Sequence, residues 1–134
     1  MCYPPPYSIT DIETLARIEI PSSATDVQSY VDLGGMDSFV ALRFLLPAAE
    51  MEDFLSDVGC TESLEPVAYV STLFYGLDDK ISGWPSRGQW KSILADKSHV
   101  LMGCEQSAPG FSRKIIVDQS QTDIYTIYLI HFEL

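Results

Sequence analysis

The sequence contains no asparagine, so it carries no N-glycosylation sequon. It has two histidines, His99 and His131, and three cysteines without a Cys-x-x-Cys pair. That spacing excludes a zinc ribbon and a thioredoxin-type redox pair. A histidine-based general base or metal cluster would need both histidines, which lie roughly thirty residues apart. Glycine-rich phosphate loops, Gly-x-Ser-x-Gly and His-Glu-x-x-His are all missing, which removes the familiar nucleotide, hydrolase and zinc-protease readings. No stretch approaches the roughly 18 consecutive apolar residues of a membrane-spanning helix. Positive charge is scarce: 8 Lys+Arg stand against 19 Asp+Glu, a net charge of −11. Such a field repels phosphates and anionic headgroups, so no nucleic-acid partner and no basic membrane-docking face is expected.

Apolar residues are not lacking. They make up 46% of the chain, too many for a disordered polymer. The length of 134 residues suits one domain with a sizeable core. We read residues 1–14 as an extended, proline-rich N-terminal tether and 15–134 as a single α+β domain. Pro4, Pro5 and Pro6 favour a polyproline spacer. The first residues show neither a basic nor an apolar signal region. Cys2 directly precedes the spacer, as a lipid-modified cysteine does at the start of a mature bacterial lipoprotein. Met1 would then stand where a signal segment had been removed. The alternative is an ordinary cysteine in a frayed tail. Cys60 and Cys104 are a candidate disulfide, closing a loop of about 45 residues and contributing about 4 kcal/mol in an oxidising compartment. Two buried free thiols are the alternative.

Along the chain, residues 8–14 read as an acidic lead-in. Residues 15–20 alternate, with Ala16, Ile18 and Ile20 opposite Arg17 and Glu19, the pattern of a half-buried strand stopped by Pro21. Ser22, Ser23 and the following Asp26 read as a capped helix start, with Val27, Tyr30 and Val31 as its apolar stripe and Gly34-Gly35 as its end. Residues 38–46 are apolar on both faces except at Arg43, which marks a central strand. Pro47 opens a helix whose Met51, Phe54, Leu55 and Val58 face inward, closed by Gly59. Residues 62–95 read as a long excursion with a loop at 76–88 and a short helix at 86–94. Residues 98–105, 112–118 and 123–134 read as strands with short polar connections, an antiparallel meander. The expected fold is therefore β-α-β-α followed by a three-stranded antiparallel meander, with the helices packed on one face of the sheet and the excursion on the other.

No catalytic residues, cofactor or metal site are assigned from this pattern. The acidic groups Glu50, Asp53 and Asp57 share the helix face opposite its apolar stripe, where a solvated surface suffices to explain them. Arg43 inside an apolar strand needs a partner, either Glu19 or Asp118 on a neighbouring strand or an anionic ligand. Among Tyr69, Phe74, Tyr75, Trp84 and Trp90, the residue Trp84 is the best candidate for a ring presented to a sugar or peptide; core capping by Trp84 and Trp90 is the plainer reading. His131 joins Arg43, Trp84 and Trp90 as a candidate ligand-binding set.

Three stretches carry a resemblance: Ile20-Pro21-Ser22-Ser23-Ala24-Thr25-Asp26-Val27, then Phe39-Val40-Ala41-Leu42-Arg43-Phe44 with Pro47, Phe54 and Leu55, and finally Tyr128-Leu129-Ile130-His131-Phe132-Glu133. They resemble a family of bacterial proteins of unknown function, many of them lipoproteins. The resemblance implies a cell-envelope location and no particular activity. The function expected is a non-catalytic extracytoplasmic binding or structural module, membrane-anchored only through a lipidated N-terminus, with a protein or small ligand as partner. The alternative is a soluble cytoplasmic small-molecule-binding protein or enzyme with its pocket near Arg43 and Trp84.

Overall fold

Ser8 accepts a hydrogen bond from the Asp11 amide while the Asp11 carboxylate accepts one from Ser8, and this reciprocal cap starts helix α1 (Ile9–Ala16). The structure is a computed structural model that describes residues 7–33, 38–60 and 64–133. Cys2, the three prolines after it, and Gly34-Gly35 fall outside the described residues. The segment expected to stay extended through residue 14 is thus helical from Ile9, with Ile12 and Ala16 buried one turn apart. The strand expected at 15–20 does not form. Arg17 turns into the left-handed region (φ 55°) and ends α1. Beyond it Ile18 and Ile20 are buried and Glu19 is exposed, so the alternation reports burial without a neighbouring strand. The Ile20 amide donates to the Glu13 carboxylate at 2.7 Å instead.

The helix expected from Ser22 is strand β1 (Thr25–Asp32). Thr25, Val27, Tyr30 and Val31 are β-formers, and their spacing also fits a half-covered strand. Pairing with β2 (Ser38–Pro47) decides the matter. A single 3₁₀ turn leads into α2 (Met51–Asp57), which buries Met51, Phe54 and Leu55 as anticipated. Strand β3 (Glu65–Pro66) is two residues long. Helix α3 (Arg87–Ala95) begins with a Ser86–Gln89 capping box. The meander follows as β4 (Leu101–Ala108), β5 (Phe111–Asp118) and β6 (Ile124–Glu133), with Pro109-Gly110 turning the first hairpin.

All six strands form one antiparallel sheet in the order β1-β2-β6-β5-β4-β3. The fold is α+β, and the element order is α-β-β-α-β-α-β-β-β. Both β2 and β6 have a strand on either side, and their two faces are apolar because a layer covers each. On the first face, Ile127 and Leu129 of β6 and Val40, Leu42, Phe44 and Leu46 of β2 pack under α1 and α2. On the second, Tyr128 and Ile130 meet Phe74, Leu77, Ile81, Trp84 and Trp90 of the excursion. The helices therefore do not share a face, because α3 covers the second core.

Candidate functional site

Arg43 projects from β2 into the second face, and internal groups surround it. A bulge between Thr25 and Gln28 places Asp26 at φ 51°. This conformation, which aspartate tolerates better than most residues, brings its carboxylate to Arg43 Nη1 at 3.0 Å. Gln28 Nε2 donates to the same carboxylate at 3.0 Å. The bonds from Gln28 and then Arg43 lower the Asp26 pKa below the usual carboxylate value. The guanidinium carbon lies 5.9 Å from the Tyr128 ring centre. Gly83 closes the site from outside: a Cβ there would sit 2.7 Å from that carbon, and the glycine's φ of 82° is itself left-handed. Neither Glu19 nor Asp118, the partners expected from sequence, takes this role.

Trp84 is not a presented ring. It is 3% exposed, donates from Nε1 to the Phe74 carbonyl at 2.8 Å and stacks on the Phe74 ring at 5.8 Å. Trp90 is fully buried, edge-on to Tyr128 at 5.0 Å. The cluster of Phe74, Trp84, Trp90 and Tyr128 is a packed core layer, and its burial raises the Tyr128 pKa.

His131 lies on the first face within a second polar cluster. Its Nε2 is 3.1 Å from Glu133, which also accepts two bonds of 2.9 Å from Arg17. Phe111 stacks on the imidazole at 5.1 Å. Arg113, directly opposite His131 on β5, is 2% exposed and pairs with no carboxylate among the described residues. It donates instead to Val58 O behind α2, to Ala16 and Arg17 O at the end of α1, and to Gln106. One guanidinium thus meets the negative ends of two helices. Burial lowers the His131 pKa, and Nδ1 has no hydrogen-bond partner among the described residues. His99 stands at the far end of β5, bonded to Asp96 at 3.1 Å and 4.0 Å from Asp118. The hydrogen bonds from Ser98 hold the Asp96 pKa down to about 2. The two histidines do not form a joint site, and among the described residues no group of three His, Cys, Asp or Glu could hold a metal ion.

Open concave surface lies elsewhere, on either side of a disulfide between Cys60 and Cys104, whose Cα atoms are 6.4 Å apart. One groove, of about 750 Å³, runs over β4 and β5 on the second face. The alternation of β4 sets its floor: Gly103, Glu105 and Ser107 share the face of Leu101. Lys114 of β5 sits opposite Glu105 and bonds it at 2.8 Å. Residues 65–71 form the wall. They approach closely because position 103 is glycine, where a Cβ would meet the Val67 side chain at 2.9 Å. Tyr69 lines this groove and is 78% exposed. A smaller groove of about 570 Å³ lies beside α2, lined by Met51, Leu55, Met102 and Tyr125. Arg43, Trp84, Trp90 and His131 line neither groove. Sequence reasoning weighed Tyr69 and preferred Trp84. It missed Glu105, Ser107 and Lys114, although their polar alternation within strands marks a wet sheet face.

No family model, no curated protein and no solved structure matches the chain.

Proposed function

We propose that this chain is a non-catalytic binding or structural module that works outside the cytoplasm, tethered to a membrane through its N-terminal segment. The observation that carries the reading is the Cys60–Cys104 disulfide, which ties the end of α2 to β4. Such bonds persist in oxidising compartments and are reduced in the cytosol. The polar groups that sequence reasoning offered for chemistry support it further. Arg43 is held by Asp26, His131 by Glu133, and both tryptophans by the core. The tether is argued from Cys2 and the prolines after it.

The test uses protein isolated from its own cells. Cys60 and Cys104 are expected to resist alkylation until reductant is added, and intact mass is expected to show acyl chains on Cys2. Cys2→Ser should move the protein from the membrane to the soluble fraction. Immediate alkylation of both Cys60 and Cys104 would overturn the compartment. An unmodified Cys2, or a Cys2→Ser protein that stays in the membrane fraction, would overturn the tether.

A further inference from the structure

We infer that the groove over β4 and β5 is a binding site for a neutral oligosaccharide, with Tyr69 as the ring on which a sugar stacks. The inference rests on the proposed role as a binding module and names the ligand class of that module.

A sugar offers two surfaces: a C–H face that packs on an aromatic ring, and an edge of hydroxyls that both donate and accept. The groove offers a counterpart to each. Tyr69 is 78% exposed, while Phe74, Trp84 and Trp90 from the same excursion are packed away at 3% or less. The fold therefore packs those three aromatics away and presents this one. The same groove is lined by a carboxylate (Glu105), an ammonium (Lys114) and a hydroxyl (Ser107) on adjacent antiparallel strands. Acceptors and donors thus stand side by side on a rigid sheet, the arrangement that holds hydroxyl edges without reorganisation.

The charges narrow the class. Lys114 is neutralised by Glu105 at 2.8 Å, and Glu65 adds a second carboxylate to the lining. Phosphorylated, sulfated or uronic ligands meet net negative charge here. A peptide would need a desolvated apolar pocket for an anchor side chain. The apolar lining residues Phe74 and Ile116 are already packed into the second core. The Cys60–Cys104 bridge at the groove's edge and the Gly103 crossing fix wall against floor.

The probe is a printed array carrying neutral, sialylated and sulfated oligosaccharides together with basic peptides, incubated with the labelled, oxidised protein. Retention on neutral glycans is expected, little changed between low and high salt, because no net charge is exchanged. A retained neutral oligosaccharide is then titrated in solution. Tyr69→Ala should weaken its binding about tenfold with an unchanged melting temperature, and Tyr69→Phe should stay within about threefold. The absence of any neutral glycan on the array overturns the inference. So does equal binding by Tyr69→Ala, or retention on basic peptides alone that fades with salt. Loss of sugar binding in a protein whose cysteines are bridged and whose Cys2 is acylated removes this inference only. Free thiols in the native protein remove the compartment reading, and the sugar titration then stands by itself.

Discussion

His131 illustrates what a single buried residue does to the response of the whole fold. Burial is the largest cause of its lowered pKa; Arg113 and Arg17 add to it, and Glu133 opposes it. Its ordinary value is 6.5. The unfolded chain therefore binds a proton that the native chain resists. The contribution to stability is complete above 6.5 and is lost as pH falls below that value toward the lowered native one. Urea midpoints should drop between pH 7.5 and 5.5, and His131→Phe should flatten that difference; an unaltered slope would remove His131 as its source. Gly83 is held to a glycine by two independent constraints. Its left-handed φ and its closeness to Arg43 both forbid a side chain. Gly83→Ala should cost about 1–3 kcal/mol in the same titrations, more than any exposed loop alanine explains.

At the level of elements, the N-terminal helix depends on its cap. Ser8→Ala removes one side of the reciprocal bond pair and should cost about 1 kcal/mol, read as an earlier thermal midpoint and faster amide exchange in Ile9–Ala16. This helix also shows where sequence legibility ended. β2 and β6 were readable because strands covered on both faces are apolar on both faces, β4 and β5 because short polar connections mark a meander, and α2 because Met51, Phe54, Leu55 and Val58 keep helical spacing around a proline start. α1 and β1 were exchanged. In the first case a true burial alternation at Ala16, Ile18 and Ile20 had no strand beside it. In the second, Val27 and Val31 fit both periods in so short a window while Tyr30 falls on the opposite sheet face, and only the pairing with β2 decides between them. Of the candidate site, the disulfide pair and the aromatic content of the excursion were visible. Which ring faces water was not, because that depends on how the segment after β3 leaves the edge of β4 beside Gly103.

For the molecule as a whole, the Cys60–Cys104 bond encloses nearly the entire covering of the second face. The 3₁₀ turn Thr72–Phe74, Trp84, Trp90 and α3 all lie between the two cysteines. Replacing both with alanine should lower unfolding free energy by about 4 kcal/mol, the loop-closure value for their separation of 44 residues. Both tryptophans report on that layer, so their emission should shift to the red at lower urea in the variant; coincident curves for wild type and variant would show the bond idle. The sheet order has a consequence for how the chain is made. β6 lies between β2 and β5, so the β1–β2 hairpin and the β3–β4–β5 group join only through it. A polypeptide emerging from its N-terminus reaches this strand after the other five. Until it arrives, neither half-sheet has its central neighbour, and each exposes an apolar strand flank. Such a chain should remain open throughout synthesis and close late, when its last strand zips the two half-sheets into one.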